Sequence, residues 1–157
     1  VTTDDLARLI EQYRAGLDAE LSLLHQLDAI AHHQRTVTTG GDFRAFGNAA
    51  DERDRLMQSL VTIEAGLRAI RQTLTEHRDE AARLTGFEEV IHLHREAAHL
   101  VGGILSTDEQ SLSALADAEL ARRSAVVGLE RGETTLAAYR RVLAPPVASA
   151  TLLNRRG

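Results

Sequence analysis

Residues Leu6 to Ala31 read LARLIEQYRAGLDAELSLLHQLDAIA, and within them Leu6, Ile10, Tyr13, Leu17, Leu24, Leu27 and Ala31 recur at intervals of three, four or seven. Side chains so spaced share one side of a 3.6-residue helix, so the stretch predicts a long amphipathic helix with one apolar stripe. Thr2 or Thr3 offers a hydroxyl to the free amides at its start, and Asp4 and Asp5 lie where the helix dipole favours acid. The stripe fades after Ala31. Thr36 to Gly41 is a run of turn residues closing on two glycines, and Asp42 suits the N-cap of a second, antiparallel helix.

That second helix carries Phe43, Phe46, Ala50, Arg53, Met57, Leu60, Ile63, Leu67, Ile70 and Leu74 on one face, and Asp51, Glu52, Asp54 and Arg55 on the other. Its pattern loosens between Thr75 and Ala82, and Thr85-Gly86 marks a turn. A third stripe follows through Leu84, Phe87, Val90, Ile91, His94, Ala97, Ala98, Val101 and Leu105, and its phase continues through Asp108, Leu112, Leu115, Val126, Leu129, Leu136 and Leu143. Two readings compete for residues 84–143. One is a single very long helix; the other breaks near Gly102 to Asp108, where two glycines lower helix propensity and Ser106-Thr107-Asp108-Glu109 resembles a fresh cap. The sequence leaves the choice between them open; for Asp108 itself an N-cap at a break is favoured, because an unpaired carboxylate on a core stripe is costly. An unbroken helix would need a second copy or a bound client to cover its excess stripe. Pro145-Pro146 ends the helical pattern, and the small, basic segment 144–157 is expected to be a mobile tail.

Composition supports the same class. Ala, Leu, Arg and Glu make up half of the 157 residues, aromatics are 3%, and 43% of residues are hydrophobic. This mixture favours closely packed helices over a sheet sandwich. The expectation is an all-α antiparallel bundle or coiled coil of three to four long helices, one domain over residues 1–143 with a short flexible C-terminal tail. With no cysteine, disulfides and thiolate metal sites are excluded. The formal charge is −5, and four of the arginines (140, 141, 155 and 156) stand after Tyr139 with no acid among them. The more acidic remainder argues against nucleic acid as a partner. No apolar run approaches the roughly 18 residues of a membrane span, so membrane insertion is not expected and a cytoplasmic location is.

Histidines 25, 32, 33, 77, 92, 94 and 99 are the natural place to look for chemistry. Glu89-His92 and Glu96-His99 have the E-x-x-H spacing of di-iron bundles, but both pairs lie on one helix, opposite the stripe, where they should face water. His94 lies on the stripe and is expected in the core. No metal site, cofactor or catalytic residue is assigned. The segment Ala97-Ala98-His99-Leu100-Val101-Gly102-Gly103 resembles that around the phosphorylated histidine of two-component phosphotransfer domains, with Gly103 four residues after His99. Gly102 stands where that family usually has a lysine. His99 is therefore the alternative phosphoacceptor.

The interrupted stripe Leu112, Leu115, Val126, Leu129, Leu136 and Tyr139, with Glu119 and Arg122 standing where large apolar residues would be expected, makes a poor private core. It suits an amphipathic segment from a partner, and serving as bundle core is the competing role. A leucine-rich first helix, Gly41-Asp42-Phe43 opening a helix that runs through Ala50 to Leu60, and a final helix ending Ala138-Tyr139-Arg140-Arg141 before a Pro-containing tail resemble the FlgN-type flagellar type III secretion chaperones. The resemblance covers most of the chain and consists of helical periodicity. It implies a cytoplasmic chaperone that binds the C-terminal segments of hook-associated proteins and delivers them to the flagellar export apparatus. An uncommitted helical interaction bundle is the remaining possibility.

Overall fold

The computed structural model describes residues 1–130, with side chains described as far as Val127. Every element among them is an α-helix: α1 over Thr3–Thr39, α2 over Phe43–Glu76, a single turn α3 over Arg78–Ala81, and α4 over Phe87–Glu130. The expected all-α bundle of long helices is what the chain forms. The tail 144–157 lies outside the described residues.

Local chemistry fixes the helix boundaries. Thr2 caps α1: its hydroxyl accepts the Asp5 amide at 3.1 Å, and the Asp5 carboxylate accepts the Thr2 amide at 3.0 Å, a reciprocal pair with aspartate in place of the usual glutamate. These bonds hold the Asp5 carboxyl below its ordinary pKa. At the other end, the Gly41 amide reaches the Thr38 carbonyl and the Asp42 amide the Val37 carbonyl, closing a Schellman motif. Gly41 stands there at φ +75°, a conformation that side chains disfavour. Asp42 then accepts the Ala45 amide at 3.0 Å and starts α2, as its sequence position predicts. Gly86, at φ +90°, turns the chain into α4, and an added Cβ would stand 3.3 Å from Ile10.

The chain forms two compact units. The first comprises residues 1–29 and 53–104. Its core joins Leu6, Ile10, Tyr13 and Leu17 of α1 to Leu67 and Leu74 of α2, Ala81 of α3 and Val90 of α4. This is the stripe read from the first helix, meeting the stripe read from the second. Gly16 allows the close approach, because a Cβ at that position would collide with the Leu67 side chain.

The second unit comprises residues 30–52 and those from Leu105 onward. Phe46 is fully buried and packs with Leu115, while Val37, Phe43 and Leu112 border the pair. Much of the remaining interior is polar: Gln34, Thr38, Thr107, Asp108 and Ser111 are buried with Ala31, Ala49 and Ala50. Arg35 of α1 reaches Gln110 of α4 at 2.9 Å.

The structure decides between the two readings of the third stripe over the described residues, and it corrects the Asp108 N-cap and the expected buried face. Helix α4 does not break at Gly102 to Asp108; it runs unbroken from Phe87 to Glu130. Two glycines cost about 1 kcal/mol each relative to alanine, which the packing on either side outweighs. Asp108 is therefore buried within a helix and is not an N-cap. The buried line also lies to one side of the predicted one. It passes through Val90, Ala97, Ile104, Thr107, Asp108, Ser111 and Leu115, with Leu93 and Leu100 half-buried beside it, whereas Val101 and Leu105 are exposed. His94 is exposed too, so it is not a core histidine.

Candidate functional site

Two features stand out once the helices are in place. The first is a charged cluster in the first unit. Following the three-and-four alternation of α1, the register 6, 10, 13, 17, 24 passes through residue 20, which is glutamate and is 4% exposed. Glu20 meets Glu64 of α2. Arg71, two turns further along α2, donates two hydrogen bonds to the Glu64 carboxylate at 2.8 and 2.9 Å, and its Nε donates to the Tyr13 hydroxyl at 2.9 Å. The guanidinium carbon also lies 5.8 Å from the centre of the Tyr13 ring. Burial, then the hydrogen bond and repulsion from Glu64, push the Glu20 carboxyl up to about 8, whereas the same bond and Arg71 hold Glu64 below its ordinary value. Glu20 is thus the proton-bearing member at neutral pH and donates to the Glu64 carboxylate. Its Oε1 has no hydrogen-bond partner among the described residues.

The sequence carried a signal for this cluster that the apolar stripe concealed. Glu20 fills a stripe position between Leu17 and Leu24, and Glu64 and Arg71 lie seven apart on α2, both beside stripe positions. An acid in the register of one helix opposite an acid and a base in the register of another is the pattern that would have found it.

The second feature is uncovered apolar surface on α4. In the second unit Leu105 is 49%, Leu120 65% and Val127 41% exposed, at spacings that place them along one side of the helix with the half-buried Leu112. The partner-binding stripe expected from sequence is divided by the structure. Leu115 is buried against Phe46, and Leu112 borders that core. Val126 is half-buried. The side chain of Leu129 and all of Leu136 and Tyr139 lie outside the described residues. Glu119 turns sideways on its own helix to hold Arg122 at 2.8 Å and Arg123 at 3.2 Å.

The histidine ladder faces solvent. Glu89, His92, Glu96 and His99 are all exposed. Glu89 lies 3.7 Å from Arg14, and Glu96 3.9 Å from His25. Among the described residues no group of three or more histidines and carboxylates is placed to hold a metal ion, and no helix is long and apolar enough to cross a membrane. No protein-family model, curated protein or solved structure matches the chain.

Proposed function

We propose that this chain is a binding module and not an enzyme, acting as a cytoplasmic export chaperone of the FlgN type. In this reading it holds the C-terminal amphipathic segments of hook-associated flagellar proteins and passes them to the type III export apparatus. The observation that supports it is the exposed apolar line Leu105, Leu120 and Val127 on α4, with Leu112 at its border. Large apolar side chains left in water along one side of a helix are the half-interface that an amphipathic partner helix completes. A client end that is disordered when free loses part of the contact energy to ordering, which keeps the complex releasable.

The test is titration of a labelled C-terminal peptide from a hook-associated protein, followed by fluorescence anisotropy. Leu120→Glu, which changes an exposed position and leaves the Phe46 core intact, weakens binding at least about tenfold, and His99→Gln leaves it unchanged. Full binding by a folded Leu120→Glu variant, or none by the wild type, overturns the reading. A second reading rests on His99, which is exposed on α4 with open space where side chains at Gly102 and Gly103 would stand. As a phosphoacceptor it would take label from a phosphorylated receiver domain and lose it in His99→Gln.

A further inference from the structure

The first unit contains a cleft of about 260 Å³ that neither reading uses. It is lined by Leu74 and Thr75 of α2, Arg78 of α3, and Phe87, Val90, Ile91 and His94 of α4. Arg71 and Tyr13 also line it, hydrogen-bonded to each other, with Arg71 hydrogen-bonded to Glu64 as well. No carboxylate lines the cleft, although the chain as a whole is acidic.

We propose that this cleft binds a small amphipathic monocarboxylate, its hydrocarbon tail among Leu74, Phe87, Val90 and Ile91 and its carboxylate on Arg78 and His94. Three observations carry the proposal. The first is volume: a cavity of about 150 Å³ accommodates benzene, so this cleft has room for a chain or ring of roughly eight to ten heavy atoms. The second is lining, because an apolar floor with a few polar groups at one edge is how proteins hold small ligands with a tail and a head. The third is charge. Glu64 balances Arg71, and no carboxylate among the lining residues opposes an anionic head group. Arg78 has no side-chain ion pair or hydrogen bond among the described residues, and its planar fork matches a carboxylate. Exposed Glu76, Asp79 and Glu80 border a neighbouring polar cleft that Arg78 also touches, so the head-group contribution is moderate and the tail supplies much of the affinity.

The probe is octanoate, titrated into the full chain while the methyl resonances of leucine, isoleucine and valine are followed by NMR. The expected result is saturable shifts at Leu74, Val90 and Ile91. Binding of 1-octanol should be at least about fivefold weaker, and acetate should produce no shift at those methyls at about 5 mM. Arg78→Gln, a change at an exposed position, weakens octanoate about fivefold and leaves octanol unchanged. Ile91→Trp fills the cleft and abolishes the shifts; Thr75→Trp, at an exposed position on the same lining, serves if that variant fails to fold. Equal affinity for octanoate and octanol overturns the proposal, as does an absence of saturable shifts or an unchanged response in a folded, cleft-filled variant.

Discussion

Glu20 occupies a position in α1 that the surrounding register reserves for an apolar side chain, and the chain accommodates it by keeping it protonated. Its folded pKa, about 8, stands above the ordinary value of 4.5. Between those limits the folded state binds the extra proton, so this residue makes stability fall as pH rises, and the loss is complete above the folded value. Glu64 shifts the opposite way, and its contribution is lost only as the pH falls through its lowered folded value, below this window. Glu20→Gln keeps a neutral hydrogen-bonding side chain and removes the titration. Relative to wild type, the variant should gain on the order of 2 kcal/mol between about pH 5 and pH 9, the two carboxyls titrating as a pair. Urea denaturation at both pH values measures it. Parallel stability of variant and wild type across the window would show that Glu20 is ionised in the folded chain.

Among the elements, what could be read from sequence depended on how sharply one face was apolar. In α1 and α2 the large residues fall in a single register, and Leu6, Ile10, Leu17, Phe46, Leu67 and Leu74 are buried as their spacing implies. In α4 apolar residues occupy more than one line, Val90, Leu93, Ala97, Leu100 and Ile104 beside Ile91, Ala98, Val101 and Leu105, and periodicity could not say which line meets the partner helices. The exposed part of α4 was legible only as the remainder of that choice. Glycines divide in the same way. Gly16 and Gly66 both lie mid-helix, but only Gly16 faces a neighbour, whereas nothing stands within 4 Å of a Cβ at Gly66. Gly66→Ala should therefore stabilise by about 0.5–1 kcal/mol through the lost flexibility of the unfolded chain. Gly16→Ala, forced against Leu67, should destabilise by about 1–3 kcal/mol. Thermal unfolding followed by circular dichroism gives both signs, and a shift of the same sign in the two variants would contradict the helix contact.

At the scale of the whole chain, composition identified the class, but it did not anticipate that the two compact units would differ in what they bury. The first unit encloses Leu6, Ile10, Tyr13, Leu17, Leu67, Leu74 and Val90, with Glu20 and Arg53 its buried charged residues among those described. The second encloses Phe46, Leu115 and small alanines, and adds Gln34, Thr38, Thr107, Asp108 and Ser111. Ser111 Oγ has no hydrogen-bond partner among the described residues. Apolar burial contributes about 25 cal/mol per Å², and polar groups taken from water return little net free energy even when paired. The second unit therefore has the weaker driving force and should open first. Native-state hydrogen exchange at neutral pH should show amides of Ile30–Thr39 and Phe43–Glu52 exchanging at least about tenfold faster than those of Leu6–Leu17, since local openings range from near zero up to the global stability. Phe46→Ala, which removes the large side chain at the centre of the second unit, should cost about 3–5 kcal/mol locally and erase protection there first. Equal protection in the two segments, or loss of both together in Phe46→Ala, would mean that the polar interior is held as firmly as the apolar one.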